Sequence, residues 1–216
     1  MSRPTVRPSS DGGCDRGYAM SPCLWGTDPE PLVARLAELT DLAGARVLDA
    51  GCGEGRNAVH LARQGALVDA TDVSELALRN AAAAWPDEPG ITWRRADLLL
   101  EEPPAEAYDI VVFDSVAHWL TGLDRVREAV DRLRRATRPG GFHVVCSFND
   151  RHQELENHVN PPRCVLPHTT LVALYPQPWQ LVEVHDDDIT SSHADQPIPH
   201  NHSVTRFIAR RPVGEG

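Results

Sequence analysis

The chain has 216 residues, of which 41% are hydrophobic and 24% charged, and a formal net charge of -10. That length and composition suit one α/β core, and the negative balance argues against a nucleic-acid partner, whose phosphates demand a basic face. All basic residues are Arg, which excludes Schiff-base chemistry on a lysine, and no apolar run approaches a membrane span.

In chain order, residues 1–20 are rich in Ser, Pro, Gly and Arg without apolar periodicity and read as a disordered leader, with no signal-peptide core. Trp25 precedes a helix that starts at Asp28 or Pro29, with Leu32, Val33, Leu36 and Leu39 as its apolar stripe and Asp28 as N-cap. After Gly44 comes a buried strand, Val47-Leu48-Asp49-Ala50, then the glycine turn Gly51-Cys52-Gly53-Glu54-Gly55 and a helix from Arg56. Ala66 to Asp72 is a second strand, and Ser74 caps the helix Glu75 to Ala84. Ile91 to Arg95 is the third strand and Ile110 to Phe113 the fourth, with an acidic loop at 101–106 between them. A helix over 123–137 carries five arginines, with Arg138 just beyond, interleaved with Glu128 and Asp131, the pattern of a solvated face. Pro139-Gly140-Gly141 stops it, and Phe142 to Phe148 is the fifth strand.

The glycine turn allows a ligand to approach the backbone closely, where a Cβ would collide. A dinucleotide turn would place glycine at position 56, which is Arg, and Asp49 would repel a pyrophosphate. That acid instead suits a ligand carrying an amino group or a sulfonium. Asp72, at the end of the second strand, can bond both ribose hydroxyls. The pair points to a nucleoside with an amino-acid tail.

At these residues the chain resembles the class I S-adenosylmethionine-dependent methyltransferases. Leu48 to Gly55 looks like their first motif, Asp72 like the ribose-binding acid, Arg95-Ala96-Asp97-Leu98 like the adenine motif, 108–114 like the fourth strand and 133–141 like the turn before the fifth. The resemblance implies a single domain over 21–212, with a short tail at 213–216. Its sheet is a doubly wound, Rossmann-like one of seven strands in the order 3-2-1-4-5-7-6, the last antiparallel. It further implies a helix at 169–175, a strand at 180–185 and a last strand at 204–210, with 191–199 a loop between the last two.

Within the family the closest likeness is to tellurite-resistance (TehB-type) and thiopurine-like small-molecule enzymes, on chain length, Gly53-Glu54-Gly55-Arg56-Asn57 and the ending 202–211. Ala194 and His202 stand where the tellurite enzymes carry arginines near the final hairpin, which turns the expectation away from tellurite itself. The acceptor is then a small nucleophile: thiol, carboxylate, hydroxyl or ring nitrogen, as in specialised metabolism or detoxification. The same fold and cofactor also serve a non-methyl reaction (cyclisation or dehydration) or non-catalytic cofactor binding.

Ligands in open α/β sheets bind at the carboxyl ends of the strands. That rule and the resemblance give S-adenosyl-L-methionine the contacts Trp25, Asp49, Gly51, Cys52, Gly53, Asn57, Asp72, Val73, Asp97, Leu98 and Asp114. His118, expected at the start of the helix after strand four, is the candidate base, since imidazole accepts a proton near neutral pH. Trp119, Phe148, Asn149, Arg151, His193 and His202 are the candidates for acceptor contact. The last third is rich in His, but no set of ligands at fixed spacing emerges, and no metal site is read. Of the five cysteines, none forms a Cys-x-x-Cys pair, so a reducing cytoplasm is expected. The expected partner is a small-molecule acceptor, with neither nucleic acid nor membrane, and the oligomeric state stays open.

Overall fold

A computed structural model describes residues 14–156, 158, 160–193 and 196–213, though not the side chains of His193 and Gln196. In chain order the elements are α1 (Asp15–Met20), α2 (Pro31–Arg35), β1 (Arg46–Ala50), α3 (Arg56–Ala62), β2 (Leu67–Asp72), α4 (Glu75–Ala84), β3 (Ile91–Arg95), β4 (Tyr108–Asp114), α5 (Leu123–Ala136), β5 (Thr137–Gln153), α6 (His168–Val172), β6 (Gln180–His193) and β7 (Gln196–Arg210). One seven-stranded sheet runs β3-β2-β1-β4-β5-β7-β6, and β7 is antiparallel to both neighbours. This is the sheet that the family resemblance implies.

Alternation along the strands divides the interior into two layers. Val47, Val68, Ile110, Val112 and Val144 face Leu32, Val33, Leu36, Ala58 and Leu61. Their neighbours Leu48, Val111, Phe113 and Val145 face Val126, Ala129, Val130 and Leu133 of α5. The arginines of α5 pair along its outer face, Arg125 and Arg132 with Glu128 and Arg134 with Asp131, as a solvated face should. No helix among the described residues is long and apolar enough to cross a membrane.

Several boundaries differ from the sequence reading. Residues 1–13 lie outside the described residues, but Asp15–Met20, assigned above to the leader, is helical and buries Tyr18. The next helix opens at Pro31, whose missing N–H suits a first turn, and Glu30 rather than Asp28 occupies the N-cap. Ser74 does cap α4, its hydroxyl accepting the Ala77 N–H at 3.0 Å.

The largest difference is the last hairpin. Both of its strands run far beyond the expected 180–185 and 204–210, and they absorb most of the segment expected to loop. Asp186-Asp187-Asp188 is a poor strand sequence by propensity, but β6 is an edge, where charge is tolerated. Pro197 and Pro199 fall where β7 has outrun its pairing with β5, so their missing N–H groups cost no ladder bond on that side.

Ser74 joins two elements, since its hydroxyl also bonds the Asp15 carboxylate of α1. Ser74→Ala should lower stability by about 1 kcal/mol and release α1. Urea unfolding, with proteolysis at the leader as the second readout, tests this. An unchanged midpoint and an unchanged cleavage rate would contradict it.

Candidate functional site

Strand β1 carries Asp49 to the open end of the sheet, where the chain must turn within two residues. Gly51 and Gly53 adopt φ of 81° and 53°, the left-handed region that glycine enters without strain. A Cβ at Gly51 would stand 2.2 Å from Val116 Cγ2, so no other residue fits. The turn is fastened to β2: the Gly51 and Cys52 N–H groups donate to Thr71 O at 2.7 and 2.9 Å.

Asp49 is 1% exposed. The Ala58 N–H bonds its carboxylate, yet Oδ2 is buried without a hydrogen-bond donor. Burial, reinforced by the nearby Asp114 carboxylate, pushes its pKa up to about 8. An orphaned buried carboxylate oxygen beside a glycine turn is a seat for a cationic group.

Asp72 sits across the turn. Its Oδ2 accepts the Gly53 N–H and its Oδ1 the Ser74 N–H, both at 2.8 Å, and burial raises its pKa in spite of them. Each oxygen keeps a further lone pair, which suits a hydroxyl donor. Asp97 follows β3, its Oδ1 accepting the Leu99 N–H at 2.8 Å. Val73 O takes a bond from Arg95 Nε at 3.3 Å, and Leu98 leans into the α5 layer.

The N-terminal segment roofs this turn through Trp25, expected from the sequence, and through Tyr18, which the sequence did not flag. The Tyr18 hydroxyl lies 3.0 Å from where a Gly53 Cβ would be. Trp25, 40% exposed, shares a side-chain hydrogen bond with Tyr18. Glu54 Oε2 accepts the Leu24 N–H at 2.6 Å, and Asn80 Nδ2 donates to both Glu54 Oε1 and Tyr18 O at 2.9 Å. A Tyr in a Gly- and Arg-rich leader gives no periodic signal.

Beneath the ends of β4, β5 and β7 lies a buried ionic network. Asp114, at the end of β4, takes Arg56 at 2.7 Å, Asn57 Nδ2 at 2.9 Å and the Ser115 hydroxyl at 2.8 Å. Asn57 Oδ1 accepts the Glu30 N–H at 2.8 Å, and Glu30 pairs with Arg206 at 2.8 Å. Burial pulls Asp114 upward, but Arg56 and Asn57 outweigh it and hold the carboxyl below its usual range. Burial and Asp114 raise Glu30, with Arg206 opposing. Asn57 and Asp114, expected to touch cofactor, thus direct these polar atoms at each other.

On the other side of the turn, His118 lies in a single 3-10 turn, Ala117–Trp119, and not at a helix start. It is 2% exposed, and burial pushes its pKa down to about 3. Its Nδ1 accepts the Phe148 N–H at 3.3 Å, which places the ring proton on Nε2. His118 is therefore a neutral ring whose basic nitrogen is already engaged. It stacks on Phe148 at 4.4 Å, Phe148 stacks on His202 at 4.3 Å, and Trp119 lies 5.2 Å from His118. The loop after β5 leans over this wall, with the Arg163 and Cys164 N–H groups donating to His118 O.

Two of the acceptor candidates are bonded into the hairpin. Asn149 Nδ2 donates to Asp186 at 2.8 Å and to Thr205 at 3.1 Å, while Arg151 pairs with Asp186 at 3.2 Å and Asp188 at 3.0 Å. His193 ends β6, but its side chain lies outside the described residues, as does Ala194. A groove of about 470 Å³ lined by Glu106, Arg135, Trp179 and Arg211 opens at the opposite, amino-terminal edge of the strands. It is remote from these groups.

Comparison with known proteins gives the arrangement a context. Residues 47–141 match the family described as methyltransferase domain. An uncharacterized methyltransferase of Mycobacterium tuberculosis is 35% identical over 115 residues, 53% of this chain and 56% of that protein, so the match spans little more than half the relative's length. The fold is that of TehB from Haemophilus influenzae (TM-score 0.72, 19% identity, 94% of this chain and 67% of that one). It is equally that of the N-methyltransferase NodS from Bradyrhizobium japonicum, solved with S-adenosyl-L-homocysteine (TM-score 0.67, 22% identity, 95% and 100%). TehB is one structural neighbour among many.

The buried Asp49 should leave a pH signature. Its folded pKa lies above its unfolded value, so the folded chain keeps a proton that the unfolded chain releases from about pH 4 upward. Stability therefore falls as pH rises toward 8. Asp49→Asn, which cannot ionise, should flatten the decline between pH 7 and 8 by on the order of 1 kcal/mol per pH unit. Urea unfolding at the two pH values measures it, and equal slopes in both proteins would remove Asp49 from the account.

Proposed function

We infer that this chain is a class I S-adenosylmethionine-dependent methyltransferase, a reading supported by its sheet order and by the match over residues 47–141, and that it methylates a small-molecule nucleophile. The observation that carries the reading is the orphaned Asp49 oxygen beside the Gly51–Gly53 turn. When bound, S-adenosylmethionine supplies an electrophilic methyl group on a cationic sulfonium. Asp49 would hold the ammonium end of such a ligand, the backbone of Gly51, Cys52 and Gly53 its tail, and Asp72 its ribose hydroxyls. Val73, Asp97 and Leu98 stand at the ends of β2 and β3 for the base, with Tyr18 and Trp25 above the turn.

His118, Trp119 and Phe148 form an aromatic wall on the side of β4 and β5, where the acceptor would lie. The wall excludes water and aligns the nucleophile, and alignment alone accounts for much of the acceleration in such displacements. With Nδ1 engaged by the Phe148 N–H, His118 presents a donor and no ready base. That favours acceptors needing no base, such as a thiolate, a carboxylate or a ring nitrogen, over an unactivated hydroxyl. We assign His118 to positioning.

A screen of thiols, carboxylic acids and nitrogen heterocycles should give S-adenosylhomocysteine and a product heavier by one methyl group. A product formed without S-adenosylhomocysteine would point to a non-methyl reaction. Asp72→Ala should weaken cofactor binding at least about tenfold by calorimetry, given roughly 1.5–3 kcal/mol for each charge-assisted bond; unchanged affinity in the folded variant would overturn the cofactor assignment. His118→Gln should change mainly KM for the acceptor, with kcat falling less than about tenfold. A kcat loss of about 10²–10⁴-fold would make His118 the base after all.

A further inference from the structure

Three histidines that the proposed reaction does not use meet above the last strands. His158 follows β5, and His200 and His202 lie two residues apart on β7, hence on one face of the strand. One ring nitrogen from each lies within 4.8 Å of the other two. The rings meet edge to face, with centroids 4.7 Å apart for 158 and 200, 5.1 Å for 158 and 202, and 4.8 Å for 200 and 202. His200 is 4% exposed and His202 fully buried.

Hydrogen bonding fixes the tautomers of the two strand histidines. His200 Nδ1 is 2.8 Å from Ile198 O, a group that can only accept, so Nδ1 carries the proton. His202 Nδ1 is 2.7 Å from Gln153 Oε1. The Gln153 amide is oriented because its Nε2 donates to Asn149 O at 2.7 Å and Ser203 O at 2.8 Å, so Oε1 faces His202 as an acceptor. In both rings Nε2 is then the basic nitrogen, and both Nε2 atoms are buried. A ring that donates one N–H to an oxygen and directs the other nitrogen inward is how proteins orient a metal-ligating histidine.

A second cluster of ligand type, Glu30, Asp114 and Cys146, is equally tight but receives the guanidinium groups of Arg56 and Arg206, which supply its positive charge. The histidine cluster is made of neutral donors. We propose that His158, His200 and His202 form a mononuclear site for a divalent transition metal of the zinc class, with a further position for a small exogenous ligand. Imidazole donors select zinc, copper, nickel or iron over magnesium and calcium. Tetrahedral ligation at about 2.0–2.1 Å brings ligand nitrogens to roughly 3.4 Å from one another, a modest contraction of this cluster. His202 also stacks on Phe148, so the ion would sit against the aromatic wall and join the segment after β5 to β7. Metal binding here does not depend on the methyl-transfer reading.

The test uses the full chain without an affinity tag, stripped with a chelator. Titration with Zn2+ by calorimetry should give one site per chain and a raised Tm, and Co2+ should develop visible bands of a tetrahedral complex. His158→Gln and His200→Gln should each weaken Zn2+ about tenfold or more, whereas His152→Gln, an exposed neighbour outside the cluster, should not. Absence of a single site for either ion, or binding untouched by both substitutions, would overturn the proposal. If His200→Gln fails to fold, His158→Gln, whose residue lies off the strand, decides the question alone.

Discussion

Two buried carboxylates and two partly buried arginines hold the open end of the sheet in register. Arg56 comes from the helix after the glycine turn, Asp114 from the end of β4, Glu30 from the entry to α2 and Arg206 from β7. Segments that are far apart in sequence are thus pinned to one spot, directly below the groups that would meet a ligand. Buried ion pairs add little net stability compared with apolar packing, but removing one partner strands a charge and costs about 3–5 kcal/mol. The value of the network is therefore positional. Asp49 feels it directly, because Asp114 raises its pKa and Arg56 opposes.

The half of the fold that positions this network was readable from the chain. Strands β1, β2 and β4 are short apolar runs bounded by turn residues, and Gly51 and Gly53 sit where the backbone has to enter the left-handed region. Ser74 announced its helix because the capping hydroxyl is a local device, complete within three residues. Asp49 and Asp72 followed from their places at strand ends. All these features are governed by neighbours in sequence.

What escaped the sequence depends on distant partners. Tyr18 roofs the turn only because α1 docks on α4 through Ser74 and Asn80. His118 reads as a base from its unperturbed pKa, whereas burial lowers that pKa and the Phe148 N–H occupies Nδ1, and neither is visible in Val116-Ala117-His118-Trp119. Arg151 looked available until Asp186 and Asp188 came to lie beside it on β6. The hairpin itself was underestimated because its three aspartates and two prolines contradict strand propensity, and only its edge position makes them acceptable.

The sheet order also bears on how the chain reaches this state. Val47 of β1 pairs with Ile110 of β4, so the central seam closes only after a loop of some sixty residues has been made and ordered. The β6–β7 hairpin is the opposite case: its pairing is local, and it can form by itself before docking on β5. Since the ends of a long loop must be brought together before their contacts can stabilise anything, that seam and the β5–β7 pairing, which joins Phe142 to Arg210, carry the heaviest loop-closure cost. The ligand-facing end of the sheet, assembled from both sides of that seam, is therefore among the last parts to form.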